Sequence, residues 1–178
     1  MSYTSFVFWG RGGEGVKTAA EILAKAAFLQ GLEVQAFPEY GPERSGAPVR
    51  AFVKISKEKI KDQASITQAD YVVVLDGSLL SQLDTKNLIL NQKKAKLLIN
   101  GKINPEIKNS VFIDASGIAN KYLKKDLPGV VMLGALLKMT TCVKFANLEK
   151  AVKETLSKKP ELLDGNLKAL NEAYTQFK

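Results

Sequence analysis

The chain contains no histidine and a single cysteine, Cys142. One thiol makes no internal disulfide and falls short of the four ligands an iron–sulfur cluster usually takes. Zinc sites built from Cys and His are excluded as well. The missing imidazole removes the commonest general base, and with it the Ser-His and Cys-His nucleophile pairs. Carboxylate-only Mg²⁺ binding has no recognisable motif here, so neither a metal site nor a catalytic residue is expected. Arginine is scarce too: Arg11, Arg44 and Arg50 are the only three, all within the first 50 positions. The most apolar later stretch, residues 130–137, is far shorter than the roughly 20 residues that span a bilayer. The opening residues lack the basic, apolar, small-residue order of a signal peptide. A cytoplasmic protein without membrane contact is the expectation.

What is present suits one soluble domain spanning residues 1–178, with 46% hydrophobic and 25% charged residues. The formal charge is +8, but residues 1–50 sum to zero: Arg11, Lys17, Lys25, Arg44 and Arg50 stand against Glu14, Glu21, Glu33, Glu39 and Glu43. The whole excess lies later and is all lysine, a hydrated point charge rather than the planar fork of arginine. It reads as solvated surface. A basic stripe with interleaved aromatics is missing, so no nucleic-acid partner is expected.

The organising stretch is Trp9-Gly10-Arg11-Gly12-Gly13-Glu14-Gly15-Val16-Lys17-Thr18. An apolar run at 6–9 leads in and a run of helix formers leads out, so the order is strand, glycine loop, helix. The helix is expected over 15–30 and is ended by Gly31. A strand over 32–37 completes a unit expected to be right-handed and parallel. Three prolines and two glycines in residues 38–48 predict a stiff loop. The strand that follows, at 49–55, alternates Val49, Ala51, Val53 and Ile55 with Arg50, Phe52 and Lys54, and the short return suggests an antiparallel pairing. Residues 71–75 form the clearest buried strand, 96–100 and 111–113 two shorter ones. Short helices are expected at 78–83 and 115–124. Residues 130–141 are apolar all round, the mark of a core helix or of one covered by a partner. Asn147 is positioned to cap a helix over 148–156, and Pro160 opens the last one. The expected fold is a single three-layer α/β/α domain with a mixed, mostly parallel sheet and a helical C-terminus.

Gly10-x-Gly12-x-x-Gly15 matches the dinucleotide fingerprint in its required context, with Glu39 near the place of a ribose-binding carboxylate. A stand-alone nucleotide-binding oxidoreductase is therefore the alternative reading. Proline around Glu39 and the early strand reversal weigh against it. The Walker arrangement is broken, because Val16 holds the lysine position and Lys17 follows one residue late, roughly 100° around the helix. Asp76 and Asp114 at strand ends read as turn caps, and Cys142 as a small buried residue.

Three segments carry a resemblance. Residues 8–16 with 18–24, the Pro38-Glu39-Tyr40-Gly41-Pro42-Glu43-Arg44-Ser45-Gly46-Ala47-Pro48 loop, and Met132-Leu133-Gly134-Ala135-Leu136 resemble, in order, the gamma subunits of 2-oxoacid:ferredoxin oxidoreductases, the pyruvate branch above all. The resemblance covers essentially the full length. It implies a part in oxidative decarboxylation of a 2-oxoacid, with coenzyme A accepting the acyl group and ferredoxin the electrons. It implies alpha, beta and delta partner subunits, thiamine diphosphate on alpha and beta, clusters on beta and delta, and no cofactor held tightly by this chain. The corresponding domain of the fused enzymes is associated with coenzyme A. Gly10, Arg11, Gly12, Gly13, Glu14 and Gly15, with Glu43, Arg44 and Ser45, are then the candidate binding residues. Glu14 departs from the family, which usually has glutamine there, and a carboxylate repels a nearby pyrophosphate. Helix packing, coenzyme A approach and subunit docking all remain open for the loop.

Overall fold

The computed structural model describes residues 3–39, 48–62, 66, 68–82, 95–102 and 109–177. Six strands form one sheet: β1 (Thr4–Arg11), β2 (Glu33–Glu39), β3 (Pro48–Ser56), β4 (Tyr71–Val74), β5 (Lys96–Asn100) and β6 (Ser110–Ile113). Their order is β2-β3-β1-β4-β5-β6. β1, β4, β5 and β6 run parallel, while β3 is antiparallel to both of its neighbours. Five α-helices follow in chain order: α1 (Val16–Leu29), α2 (Ala115–Leu123), α3 (Gly129–Met139), α4 (Phe145–Thr155) and α5 (Pro160–Gln176). Residues 77–82 form a 3-10 helix. The α/β class, the mixed sheet and the helical C-terminus are as expected.

One expectation is corrected. β2 does not pair with β1, because β3 inserts between them. β1 and β2 keep the same direction, yet the neighbour each needs comes from the chain that returns after β2.

The sheet separates two cores. On one face Phe6, Phe8, Ala51, Val53, Val73 and Leu98 share one core with all five α-helices: α1 and α3 lie on the strands, α4 packs on α1, and α5 on α3 with α2 beside it. The other face carries Val7, Phe52, Val72, Val74, Leu97 and Ile99. Among the described residues it is covered by Ile66, Ala69 and Leu80 rather than by α-helices. β3 is buried on both faces. Phe52 stacks on Phe37 at 5.3 Å between ring centroids, and Lys54 is fully buried, against its expected place on a polar face. The Lys54 ammonium donates to the Asp62 carbonyl at 3.1 Å and approaches Asp62 Oδ2 at 3.3 Å. It also lies 4.8 Å from the centroid of the Tyr3 ring. Burial of a cation is tolerated only with such partners.

Helix ends follow the local chemistry with one exception. Gly31, at φ 80°, closes α1 in a Schellman motif: Leu32 N donates to Ala27 O and Gly31 N to Phe28 O. Asp114 caps α2, accepting from Gly117 N at 2.8 Å. Asn147 does not cap α4. That helix starts three residues earlier than expected, after Lys144, and the Asn147 amide instead donates to Gln30 Oε1 at 3.2 Å, tying α4 to the end of α1.

α3 is buried along nearly its whole length by its own chain. It can be so because it carries glycine where neighbours come closest. A Cβ at Gly134 would stand 2.5 Å from Leu170 O and 3.1 Å from both Ala173 Cβ and Tyr174 N. We expect Gly134→Ala to destabilise the chain. Overpacking against a backbone costs ~1–3 kcal/mol, more than the up to ~1 kcal/mol that alanine regains as a helix former. In urea unfolding, the midpoint falls while the slope stays unchanged.

Candidate functional site

β1, β4, β5 and β6 end on the same side of the sheet. From β1 the chain leaves through α1 toward the β2 edge; from β4 it leaves toward β5 and the opposite edge. The carboxyl ends of β1 and β4 therefore flank the place where connections diverge, the position at which open α/β sheets characteristically bind ligands. The glycine loop lies at the end of β1, and Asp76-Gly77-Ser78 at the end of β4. Asn100 follows on β5 and Asp114 just beyond β6. Between them lies a cleft of about 370 Å³ lined by Glu14, Asp76, Ser78, Asn100, Lys102, Asp114, Ser116 and Asp126, among others.

The loop glycines divide their tasks. Gly10 is buried, and a Cβ there would stand 2.7 Å from Glu14 Oε2, 2.8 Å from Val16 Cγ2 and 2.9 Å from Leu75 Cβ. Gly13 and Gly15 have φ of 102° and 88°, a region open to glycine at no steric cost. Gly15 also meets Gly129 at the start of α3, where a Cβ would lie 2.8 Å from Gly15 O. Gly10 is thus accounted for by packing within the chain, Gly15 by its positive φ, and Gly129 by the approach of the Gly15 carbonyl. Gly12 and Gly13 are exposed at the tip.

The charged residues of the loop turn inward. Arg11 Nε donates to Asp76 Oδ2 at 2.5 Å and Arg11 Nη2 to Ser78 Oγ at 3.0 Å. The guanidinium therefore clamps β1 to the end of β4. Burial pushes the Asp76 carboxyl up, but hydrogen bonds from Ser78 and the Arg11 guanidinium more than offset this, leaving it below the usual carboxylate range. Glu14 folds back on the loop, and its Oε2 accepts from Arg11 N at 2.6 Å. Burial raises the Glu14 carboxyl above its ordinary value; the Arg11 hydrogen bond opposes that, and the charges of Asp76 and Asp126 add to it. Lys17 points away to Glu21, 3.7 Å distant on the exposed side of α1, so the displaced Walker lysine stays off the loop.

Next to the loop, buried Asn100 joins three elements. Its amide donates to Leu75 O at 2.8 Å and to Ser116 Oγ at 2.9 Å. Its Oδ1 accepts from Ala115 N and Ser116 N at the start of α2, and Ser116 Oγ donates to Asp126 Oδ1 at 2.7 Å. Together with Asp114 it satisfies the first N–H groups of α2 within the chain.

Of the residues expected at the site, the structure brings Gly10, Arg11, Gly12, Gly13, Glu14 and Gly15 together. Glu43, Arg44 and Ser45 lie outside the described residues. The flanks of their segment, Glu39 and Pro48, stand at the glycine-loop end of the sheet, with Pro48 in register with Arg11. Asp76 and Asn100 were not among the expected site residues. The signal for both was a short apolar strand followed by Asp76-Gly77 and by Asn100-Gly101. The dinucleotide reading loses its frame, because a standard unit needs β1 and β2 adjacent and β3 separates them.

The site does not fit a pyrophosphate as folded. Its lining sets four carboxylates, Glu14, Asp76, Asp114 and Asp126, against Lys102. Arg11, the cation on the turn, is engaged by Asp76.

Residues 5–176 match the pyruvate ferredoxin/flavodoxin oxidoreductase family. The chain is 42% identical over 174 residues to the pyruvate/ketoisovalerate oxidoreductases common subunit gamma of Pyrococcus furiosus, covering 94% of this chain and 93% of the relative. The crystal structure of pyruvate oxidoreductase subunit PORC from Thermotoga maritima superposes with a TM-score of 0.83 at 35% identity, over 98% of this chain and 97% of that one. A keto/oxoacid ferredoxin oxidoreductase gamma subunit from Geobacter sulfurreducens gives 0.78 at 25% identity, over 98% and 96%.

The Arg11–Asp76 clamp carries a pH signature. A carboxyl held below its usual range contributes stability that is present above the unfolded value of about 3.9 and lost as pH falls through the folded one. Asp76→Asn is therefore expected to cost roughly 1.5 kcal/mol at pH 7, the low end for a hydrogen bond to a charged group. That deficit closes below about pH 3.9. Denaturant unfolding of both proteins across pH measures it.

Proposed function

The chain belongs to the pyruvate ferredoxin/flavodoxin oxidoreductase family, and from that premise we propose that it serves as the gamma subunit of a heteromeric 2-oxoacid:ferredoxin oxidoreductase. The complex oxidatively decarboxylates a 2-oxoacid of the pyruvate type, passes the acyl group to coenzyme A and delivers the electrons to ferredoxin. The observation that carries the reading is the nearly full-length likeness to gamma subunits that are chains of their own, in sequence and in fold.

Residue types define this chain's share of the work. With one cysteine and no histidine, it supplies neither the thiolates of a cluster nor an imidazole base. The clusters and thiamine diphosphate belong on partner chains, the alpha, beta and delta subunits. The 2-oxoacid pocket belongs there too: the Pyrococcus relative is named as common to pyruvate and ketoisovalerate oxidoreductases, and a subunit shared by two substrates is not the one that tells them apart. What is left to this chain is assembly and the approach of coenzyme A, with the exposed tip at Gly12 and Gly13 as the contact surface. Because the turn is filled by Glu14, coenzyme A does not rest its pyrophosphate there.

Tagged chain is expected to copurify with larger chains that carry thiamine diphosphate and iron–sulfur clusters. Alone, it should reduce no ferredoxin from pyruvate and coenzyme A. Turnover by the isolated chain would overturn this division of labour.

A further inference from the structure

The glycine turn has the ingredients of an anion seat: a strand end, close-approach glycines and the uncapped start of α1. The chain has used that seat itself. Glu14 Oε2 accepts the Arg11 N–H at 2.6 Å and lies 2.7 Å from where a Gly10 Cβ would stand. The close approach that glycine permits at position 10 is thus filled by the chain's own carboxylate. The guanidinium that would have met an incoming phosphate is drawn to Asp76 and Ser78.

We propose that Glu14 is the specificity-determining residue of this turn: its carboxylate is a built-in anion that excludes phosphate-bearing groups, and removing its charge while keeping its hydrogen-bond acceptor opens the turn to them. The groups facing Glu14 act in the same direction. Asp76 comes from the end of β4 and Asp126 from the connection before α3, with Arg11 opposing from the turn itself. Asp114 before α2 and Lys102 after β5 line the same cleft. An anion entering beside Glu14 shares the cleft with Asp76, Asp114 and Asp126 against Lys102, and at an effective dielectric near 20 each such charge weighs on the order of a tenfold change in affinity.

This inference rests on the chain's own geometry and stands whether or not the subunit assembles as proposed above. The experiment is titration of the full chain with inorganic pyrophosphate at pH 8, read by the backbone amide resonances of residues 11–15. In the wild type no saturable shift is expected at those amides. In Glu14→Gln the amide oxygen still accepts from Arg11 N, and saturable shifts confined to 11–15 should appear, with binding about tenfold tighter or more. Saturable binding at 11–15 in the wild type overturns the proposal, as does a Glu14→Gln chain that binds no better.

Stability gives a second measurement. A carboxyl raised by folding favours the folded state at low pH, and that advantage is lost as pH rises through its folded value. Glu14→Gln is therefore expected to be more stable than wild type at pH 7, with the gap shrinking to nothing below about pH 4.3. Equal stability at both pH values contradicts the burial of the Glu14 carboxylate beside Asp76 and Asp126 on which the exclusion depends.

Discussion

The contact between Gly15 and Gly129 is the constraint from which the rest of the molecule takes its arrangement. A loop carbonyl and a helix start meet there with no room for a side chain between them. That contact fixes α3 against the sheet end where α1 begins, and Gly134 fixes the same helix against α5. An α-helix that is apolar on all sides must be covered on all sides. α3 achieves this within one chain because two glycines let a loop and a helix come closer than Cβ atoms allow. Gly10 lies against Val16 and Leu75 and the Gly15 carbonyl against Gly129, and Arg11 between them reaches Asp76 and Ser78 at the end of β4.

Electrostatics then follows from geometry. The start of a helix favours negative charge, and the chain answers that preference internally. At the turn Glu14 accepts from Arg11 N rather than from α1, while Asp114 and Asn100 serve α2. Each satisfied N–H removes a donor that a ligand would need. The cleft at the diverging strands keeps the position expected of a binding crevice but not the charge of a phosphate site. Elsewhere several lysines are matched by local partners, such as Lys25 with Glu154 and Lys121 with Glu172. Both pairs tie one helix to another, α1 to α4 and α2 to α5.

The glycine loop, α1 with its Gly31 stop, α5 with its Pro160 start and the apolar strand before Asp76 were legible because each rests on short-range chemistry. The insertion of β3 was not. A strand's own residues report that it is a strand, and here the short return suggested antiparallel pairing, yet which strand it separates is decided by contacts 37 to 51 residues away in sequence. Lys54 misled for a related reason: a lysine in alternation with apolar residues reads as solvent-facing, and only Asp62 and Tyr3, brought from elsewhere, make its burial tolerable. Asn147 has the side chain of a helix cap, but Gln30 competes for it and α4 starts earlier. In the site, the glycines identified the turn, while the inward set of Arg11 depended on Asp76, 65 positions later.

The family resemblance and the local chemistry agree on a subunit and differ on what its most distinctive motif does. A glycine-rich turn before a helix is ordinarily read as a phosphate seat because nothing in such a sequence fills it. Here Glu14 fills it, so the glycines must be explained by what they touch. Gly10 and Gly15 touch their own chain. Gly12 and Gly13 are exposed, and a Cβ at Gly13 would meet nothing within 4 Å. A rigid, side-chain-free, exposed backbone suits the close approach of another backbone, because docking orders no side chains and so loses little conformational entropy. Such a surface supports the proposed part of the motif in assembly.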